Sequence, residues 1–421
     1  MKKTTILITT LLFTTLGLFA QSTKSPSSKG EGSGMSLERL KRVDKLVEAT
    51  MAAGSIPGAV ALIMRDGKVI YHKAFGFSDL EKKTPLKKDD IFRIASQTKA
   101  ITSLAVMMLW EEGKFLLDDP ASSYIPEFKN LVVLKSYNMQ DSSFTTEPGK
   151  SEVTIRQLLT HTSGVDYAGI GSQEFKAIYS KAGVPSGIGN TNGTLADKMK
   201  TLARLPLKHQ PGERYTYGLN SDLLGYLVEI WSGMPFDQFL KQRIFEPLGM
   251  KDTYFYLPAE KQDRLVTLYS GANGALKKIN GTIYDNVVQN YPNTAGTYFS
   301  GGAGLSSTVE DYAHFLQLFI NGGQYGGKRL LSRKTVELML TNQVEKIDQN
   351  FGLGFGLETA RNDYASPVSL GSFSWGGAFN TQYWGDPKEK LVGVIYTNVY
   401  QYSGWSLGER FKVATYQAIT D

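Results

Sequence analysis

The order in which strand-type and helix-type segments follow one another is the feature of this chain that most restricts its fold. Patterns typical of strands occur early in the chain and again near its end, at 59–63, 69–75, 352–357, 372–375, 381–384 and 391–397. Helix patterns dominate the stretch between them, from about 116 to 269. Strands at the two ends can share one sheet only by meeting in space. The order therefore predicts an antiparallel sheet that is built from both termini and flanked by helices, with an all-helical lobe inserted between them.

The same order predicts one folded unit with two lobes. We expect this unit over 36–421, with an α/β lobe of about 36–115 and 290–421 and a helical lobe of about 116–289. Asp66-Gly67, between two apolar strand patterns, predicts a tight β-hairpin of the primed-turn kind. Helices are expected at about 37–51, 96–112, 155–159, 223–231, 236–245 and 406–419. A Gly-, Ser- and Asn-rich stretch at 167–192 is expected to form loops over one surface.

The first 35 residues have the composition of a targeting segment followed by a tether. Lys2 and Lys3 precede an apolar run from Ile6 to Ala20, which is interrupted by threonines and is shorter than the roughly 20 residues of a membrane span. We expect residues 1–20 to be a cleaved signal peptide and residues 21–35, rich in Ser and Gly, to be a flexible linker. The protein is then exported, to the periplasm or the medium, and keeps no membrane anchor after cleavage.

The composition excludes several kinds of chemistry. The 421 residues include no Cys, which excludes a thiol nucleophile, a disulfide framework, a zinc ribbon and an iron–sulfur site. The four His, at 72, 161, 209 and 314, include no pair at the helical spacing of a metal site, and we expect no metal and no cofactor. A net charge of +6 without a long basic run gives no support for a nucleic-acid partner. The chemistry must therefore come from hydroxyls, amines, carboxylates and the backbone.

Ser96-Gln97-Thr98-Lys99 begins a predicted apolar helix and is the first candidate site. Ser96 and Lys99 are one helical turn apart on the same face. A serine hydroxyl becomes a good nucleophile when a neighbouring base takes its proton, and a lysine can be that base where burial and the helix N-terminus disfavour its ammonium form. The same helix start offers backbone N–H groups to an oxyanion. The alternative is a serine N-cap followed by an ordinary surface lysine.

Two later motifs are weak when each is taken alone. Tyr217, in a turn before an apolar helix, has the chemistry of a phenolic base or proton donor, but most of the 22 tyrosines must simply pack and form hydrogen bonds. Ser374-Trp375-Gly376-Gly377-Ala378 lies on a late strand, where glycines permit the close approach of a ligand and exposed N–H groups can complete an oxyanion site. The alternative for this strand is a bulge or a sheet edge.

Together, the order and spacing of these three motifs resemble the serine β-lactamase and penicillin-binding-protein family, in particular its class C-like branch of esterases and peptidases. The resemblance runs from about Leu37 to the C-terminus. It includes His161-Thr162-Ser163-Gly164 and Gly301-Gly302-Ala303-Gly304, which are similar to two of the family's loops. The family fold is an α/β sandwich around an antiparallel sheet beside a helical domain, which agrees with the order of segments in this chain.

The resemblance implies a role for each motif residue. Ser96 would be the acylated nucleophile, and Lys99 would help to deprotonate it. Tyr217 would relay the proton to the leaving group and would activate water in deacylation. The N–H groups of Ser96 and Ala378 would form the oxyanion hole, with the two glycines before Ala378 leaving room for the substrate.

Two departures from the family pattern bear on the substrate. Where lactamases and D-Ala peptidases have Lys-Thr-Gly or His-x-Gly, this chain has Trp375-Gly376-Gly377 and so lacks a cation for the substrate carboxylate, a contact worth about 1.5–3 kcal/mol. The family's Tyr-x-Asn has Leu219 at its third position. Asn220, one place later, remains the candidate for contact with the substrate, away from the position suited to an acylamide. Both changes resemble the carboxylesterase subgroup with Trp-Gly-Gly, in which Trp375 would offer an apolar wall to an uncharged group.

The sequence therefore predicts an exported, metal-free serine hydrolase that works through an acyl-enzyme, with small-molecule esters or amides as partners and uncharged esters preferred. A β-lactamase, D,D-carboxypeptidase or D-aminopeptidase of the same family is the second hypothesis. A peptidoglycan- or β-lactam-binding protein without turnover is the third. Gly404-Trp405-Ser406-Leu407-Gly408 matches the nucleophile elbow of α/β-hydrolases, but no His follows it, so we interpret it as a chance match or as the N-terminus of the last helix. His161 is expected to be a structural loop histidine.

Overall fold

The structure is a computed structural model that describes residues 33–284, 287–404 and 406–421. The predicted signal peptide, residues 21–32 of the predicted linker and Trp405 lie outside the described residues. The predicted end of the linker at 35 is wrong, because Met35 is buried and pairs with Ile419 near the C-terminus. Arg65 also donates to the carbonyl oxygens of Ser33 and Gly34, at 3.0 and 2.8 Å. An apolar side chain and two satisfied carbonyls thus hold these residues to the folded unit.

The α-helices follow the predicted order. They are α1 (Leu37–Ala52), α2 (Thr98–Glu111), α3 (Ile155–Leu159), α4 (Gln173–Lys181), α5 (Leu195–Ala203), α6 (Asn220–Ser232), α7 (Phe236–Leu240), α8 (Glu246–Leu248), α9 (Val309–Ile320), α10 (Arg333–Met339) and α11 (Leu407–Tyr416). A 3-10 turn, Ala95–Gln97, leads directly into α2, and a π-helical turn, Lys241–Phe245, joins α7 to α8. The helices predicted from the sequence are therefore confirmed, with small differences at their ends. Among the described residues, no helix is long and apolar enough to cross a bilayer.

One antiparallel sheet joins the two ends of the chain. The strands are, in chain order, β1 (Gly58–Arg65), β2 (Lys68–Asp79), β3 (Thr84–Pro85), β4 (Phe92–Arg93), β5 (Val132–Tyr137), β6 (Phe144–Pro148), β7 (Tyr269–Ser270), β8 (Lys277–Lys278), β9 (Thr282–Ile283), β10 (Val287–Val288), β11 (Ser306–Ser307), β12 (Gln324–Tyr325), β13 (Lys328–Arg329), β14 (Gly356–Leu357), β15 (Phe373–Gly377), β16 (Thr381–Asp386), β17 (Leu391–Tyr396) and β18 (Val399–Tyr400). The main sheet has the order β14-β15-β16-β17-β1-β2-β3, and all its neighbouring pairs are antiparallel. The predicted sheet built from both termini is thus confirmed. β5 and β6 form a hairpin in the middle of the chain that the helix patterns there did not predict.

Helices cover both faces of the main sheet. Leu62 of β1 belongs to the apolar cluster that contains residues of α2 and α9, whereas its neighbour Ile63 belongs to the cluster that contains residues of α1 and α11. This alternation follows from the two-residue period of a strand. Every residue of β1 is buried, as expected for a strand that is covered on both faces. The β1–β2 hairpin turns at Asp66 and Gly67, with φ values of 50° and 72°, and the predicted primed turn is confirmed.

The polar stretch 167–192 contains a helix. α4 lies within it and buries Phe175, Ile178 and Tyr179 on one face. The prediction of loops throughout this stretch is wrong, because these three apolar side chains at helical spacing outweigh the polar residues around them.

α2 is buried over most of its length. Every residue from Thr98 to Leu109 is buried. The helix packs against α6, and the 3-10 turn before it packs against β15. A helix that is apolar on all sides belongs in a protein core. The Ser96–Lys99 motif therefore lies where the main sheet meets the helices from the middle of the chain.

Candidate active site

Ser96 lies in the turn Ala95–Gln97 that leads into α2. Ala95 has a φ of +43°, a conformation that costs a residue other than glycine about 1–3 kcal/mol. Buried hydroxyls hold this turn: Tyr312 Oη donates to Gln97 O at 2.9 Å, and Tyr396 Oη donates to Gln97 Oε1 at 2.6 Å. The strained turn is thus fixed by the core of the main sheet. A reactive side chain needs such support, because it must be held in one place.

Lys99 is the centre of the site. The residue is only 3% exposed, and its Nζ lies 3.3 Å from Ser96 Oγ, 2.7 Å from Tyr167 Oη and 2.7 Å from Gly302 O. The predicted pairing of Ser96 with Lys99 is present in the structure. The alternative of an ordinary surface lysine is wrong, because protein encloses the ammonium and supplies oxygen acceptors for its three protons.

Tyr217 and Trp375 complete a group of four side chains that also includes Ser96 and Lys99. The ring centroid of Tyr217 is 4.5 Å from Lys99 Nζ, within the range of a cation–π contact. Trp375 Nε1 donates to Tyr217 Oη at 3.4 Å. The structure therefore brings Ser96, Lys99, Tyr217 and Trp375 together from three segments that lie far apart in the sequence.

His161 supports Tyr217 from one side. The two ring centroids are 4.9 Å apart, and the His161 carbonyl accepts the N–H of Thr216 at 2.7 Å. Burial, followed by the positive charge of Lys99, holds the pKa of His161 well below its usual value, so the ring is neutral. Its Nδ1 lies 3.0 Å from Asn220 Nδ2 and accepts from that amide, which can only donate. This placement agrees with the prediction of a structural histidine.

Asn220 does not reach the substrate side of the site. It is fully buried, and its Oδ1 accepts a hydrogen bond from Ser163 Oγ at 2.5 Å while its Nδ2 faces His161. The prediction that Asn220 contacts the substrate is therefore wrong. The displacement by one place from the family's Tyr-x-Asn is the cause, because consecutive residues at the start of a helix point about 100° apart.

β15 forms the opposite wall of the site. A Cβ on Gly377 would come within 2.3 Å of Ile94 O, so glycine allows the strand to approach the segment before Ser96. Ala378 packs in one cluster with Ala95. Within the described residues, the N–H groups of Ser96 and Ala378 have no protein acceptor. Both are thus available to a substrate oxygen, as an oxyanion hole requires.

A cavity of about 630 Å³ runs along β15. Its lining includes Trp375, which also belongs to the group around Lys99, and Gly376. The other lining residues include aromatic and polar side chains, among them Tyr284, Tyr400, Tyr402, Asn380, Gln382 and Gln401. At the α11 end, the ammonium of Lys412 is paired with Glu409 at 2.9 Å. The cavity therefore offers a ligand aromatic faces, neutral polar side chains and backbone groups, and the lysine in its lining is already paired.

Two residues of the site were not predicted from the sequence. Tyr167 is buried, and burial raises its pKa well above the usual value, with further contributions from Tyr217 and Asp222, so it stays a neutral phenol beside Lys99. Asp222 is fully buried in the first turn of α6. A signal for Asp222 was present, because it is an acidic residue at the start of an apolar helix. Tyr167 gave none, since it is one of 22 tyrosines.

The residues around Ser96 can carry out acyl transfer. They provide a serine hydroxyl, an amine, a phenol and two N–H groups, which are the parts that covalent catalysis on a carbonyl needs. Within 33–284, 287–404 and 406–421, no cluster of His, Asp and Glu is arranged to hold a metal ion.

Comparisons with known proteins give a family and a fold. A family model described as Beta-lactamase matches residues 43–408. Esterase EstB of Burkholderia gladioli is 30% identical over 384 residues, with 87% of this chain and 91% of that protein covered. An uncharacterised protein of Mycobacterium tuberculosis is 34% identical over 357 residues, with 81% of this chain and 85% of that protein covered. The solved structure of EstCE1, a hydrolase with promiscuous acyltransferase activity, is 28% identical, has a TM-score of 0.77 and covers 90% of this chain and 99% of its own.

Proposed function

This chain belongs to the beta-lactamase family and is a serine hydrolase, and on that premise we propose that it is a carboxylesterase that cleaves small uncharged esters through an acyl-enzyme. The observation that carries the proposal is the position of Trp375. Its indole N–H points to Tyr217 Oη, and its ring lines the cavity where lactamases and D-Ala peptidases of the family have a cation. An aromatic wall binds apolar groups and has no charge to offer a carboxylate.

In acylation, the Lys99–Tyr217 pair acts in the form that has lost one proton, and it takes the proton of Ser96 Oγ as this oxygen attacks the ester carbonyl carbon. The carbonyl oxygen becomes negative and is held by the N–H groups of Ser96 and Ala378, and each donor of this kind contributes about 10²–10³-fold to the rate. The bond from the carbonyl carbon to the alcohol oxygen then breaks. The alcohol leaves with the proton, which Tyr217 returns to it, and the acyl group stays on Ser96.

Deacylation repeats these steps with water in place of the alcohol. Tyr217, next to Lys99 on one side and Trp375 on the other, takes a proton from the water as its oxygen attacks the acyl carbon. The bond to Ser96 Oγ breaks, the proton returns to that oxygen, and the carboxylic acid is released. Each proton that leaves Ser96 or water is returned, so the enzyme ends in its starting state.

The charges around the cavity favour a neutral substrate. Lys99 uses its protons on Ser96, Tyr167 and Gly302, and Lys412 at the far end is paired with Glu409. A substrate carboxylate would have to compete with these contacts and would lose water at the same time. We therefore propose esters whose acyl and alcohol parts are uncharged.

A substrate comparison tests this function. Protein that starts at Gln21 is assayed with p-nitrophenyl esters of increasing chain length, with nitrocefin, and with a peptide that ends in D-Ala-D-Ala. We expect the highest kcat/KM for an ester. Faster turnover of nitrocefin or of the peptide than of every ester contradicts the proposal and supports a lactamase or peptidase. Acylation without turnover supports the binding-protein hypothesis.

A pair of variants at Trp375 makes the test specific. Trp375→Lys restores a cation where the family's lactamases have one, so we expect its ratio of nitrocefin to ester turnover to rise at least tenfold. That factor corresponds to about 1.4 kcal/mol, the lower end of a charge-assisted contact. Trp375→Phe, which keeps an aromatic wall, is the matched control and should keep the preference for esters. An unchanged ratio in Trp375→Lys would show that residue 375 does not select the substrate.

We also propose that the protein acts outside the cytoplasm, on the basis of its first 20 residues. Expression of the full chain in a bacterium, followed by N-terminal sequencing of the exported protein, should give a chain that begins at Gln21. A chain that keeps Met1 and stays in the cytoplasm contradicts this proposal and leaves the assignment of the reaction untouched.

A further inference from the structure

A buried carboxylate lies behind Lys99, and the steps of ester hydrolysis given above do not use it. Asp222 is 0% exposed and accepts a hydrogen bond from Tyr298 Oη at 3.0 Å. A carboxylate without access to water is costly unless donors or an opposite charge compensate it. The surroundings of Asp222 show which groups do so.

Gly302 separates this carboxylate from Lys99. The Gly302 carbonyl accepts a hydrogen bond from Lys99 Nζ at 2.7 Å. A Cβ on Gly302 would come within 2.6 Å of Asp222 Oδ2 and within 3.5 Å of Lys99 Nζ. The carboxylate and the ammonium therefore lie around one glycine that has no side chain to fill the space between them. This geometry gives a reason for a glycine at this place in the Gly301–Gly304 loop.

The groups that face Asp222 come from three segments. α2 contributes Lys99, and the segment before β11 contributes Tyr298, Ser300 and the N–H of Gly302. The loop after α3 contributes Tyr167, whose neutral ring lies beside both Asp222 and Lys99. Burial raises the pKa of Asp222, whereas Ser300, Lys99, Tyr298 and Gly302 favour its charged form. Among these groups, Lys99 is the cation that faces the carboxylate.

We propose that Asp222 is a positioning residue whose negative charge balances the Lys99 ammonium and thereby sets the pH above which the Ser96–Lys99–Tyr217 group becomes active. A buried positive charge is stabilised by a nearby negative charge, so removal of that negative charge should move the pH dependence of catalysis to lower pH. Asp222 acts through Lys99 and Gly302 and takes no part in bond making. The inference rests on the proposed reaction at Ser96.

The test is the pH dependence of kcat/KM in Asp222→Asn. The amide keeps the shape of the side chain and removes its charge. With p-nitrophenyl butyrate we expect the acidic limb of the profile to move to lower pH by about one unit. This is the lower end of the pKa shift that an opposite charge at 4–6 Å produces. KM should stay within twofold of the wild-type value. Ser221→Ala, which alters the next buried polar residue of α6, is the matched control and should keep the wild-type limb. An acidic limb that does not move in folded Asp222→Asn overturns the proposal.

A second variant keeps the test decisive if Asp222→Asn does not fold. Tyr298→Phe together with Ser300→Ala removes two hydroxyl donors and leaves the carboxyl group in place, so protonation of Asp222 becomes easier. We expect the acidic limb to move in the same direction by a smaller amount, and an unmoved limb again contradicts the proposal. If wild-type protein neither turns over esters nor is labelled on Ser96 by a fluorophosphonate, the proposed function fails instead. The two failures are thus distinguishable.

Discussion

The two walls of the site differ in how their polar groups are satisfied. On the Lys99 wall, Lys99, Tyr167 and Asp222 are all buried, and Lys99 donates to Tyr167 and Gly302 while Tyr298 donates to Asp222 Oδ1. Asp222 Oδ2 is buried without a well-formed hydrogen bond from a described residue. On the β15 wall, the N–H of Ala378 has no protein acceptor within the described residues, and Trp375 borders a cavity of about 630 Å³. One wall is closed by its own contacts, and the other is open to a ligand.

This difference assigns separate tasks to the two walls. A buried network of hydrogen-bonded polar groups is rigid and costly to disturb, so it suits the groups that move protons in every turnover. An open wall of aromatic rings, neutral polar side chains and backbone can accept different acyl groups without changing that chemistry. We therefore expect changes on the Lys99 wall to lower kcat and changes in the aromatic side chains of the β15 wall to alter KM and substrate preference. Changes that displace the Ala378 N–H at the end of β15 should also lower kcat, because this group would hold the oxyanion.

The largest effect should come from Lys99→Met, which removes the amine and keeps the length of the side chain. Loss of a residue that handles the proton in catalysis lowers rates by about 10²–10⁴-fold, and we expect a fall in kcat/KM for p-nitrophenyl butyrate of that size. Lys412→Met, at the far end of the cavity, is the control and should stay within a few-fold of wild type. Near-normal activity in Lys99→Met would contradict the assignment of proton transfer to the Lys99 wall.

A smaller effect is expected from Gly377→Ala, because its methyl group would come within 2.3 Å of Ile94 O and would push β15 away from the turn that carries Ser96. Misplacement of an oxyanion donor by about 1 Å costs about 10²-fold, and we expect this loss in kcat. Gly376→Ala is the matched control, since the atom nearest to its methyl group is Thr381 O at 3.3 Å. Equal losses in the two variants would show that close packing at Gly377 is not needed.

Trp375→Ala should change binding more than chemistry. An aromatic pair contributes about 0.5–1.5 kcal/mol beyond buried area, so we expect KM for a p-nitrophenyl ester with an aromatic acyl group to rise about tenfold. KM for the acetate ester should rise less. A drop in kcat of the same size for both esters would show that Trp375 contributes to the chemical steps and not to substrate binding.

The smallest expected effect is on stability and concerns His161. The pKa of His161 is lowered in the folded protein, so the unfolded chain binds the proton more readily. The contribution of the neutral His161 to the free energy of unfolding is therefore fully present above the unfolded pKa of about 6.5 and is lost as the pH falls below that value. This one group contributes a slope of about 1.4 kcal/mol per pH unit in that range. Urea unfolding at pH 7.5 and 5.5 should show a smaller loss of stability in His161→Gln than in wild type. Equal losses would mean that the imidazole is already protonated in the folded state.

The parts of the fold and of the site were unequally predictable from the sequence. The Ser96–Lys99 pairing follows from the helical repeat, and the sheet from both termini follows from the order of segments, because both depend on local periodicity. Tyr167 and Asp222 depend on contacts between α2, α6 and two loops, which have no local pattern. Asn220 was misplaced because a shift of one residue at a helix start redirects its side chain. Met35 was assigned to the linker by the composition of its neighbours, although its own apolar side chain packs against the C-terminal segment.

The most direct test of the account is to identify the residue that carries the acyl group. Wild-type protein is mixed with p-nitrophenyl butyrate, quenched in acid during turnover, digested and mapped by mass spectrometry. We predict a butyryl group on Ser96 in the wild-type protein. In Ser96→Ala, both this label and turnover should be lost. A butyryl group on another residue, such as Ser163 or Ser406, or turnover that survives in Ser96→Ala, would contradict the account.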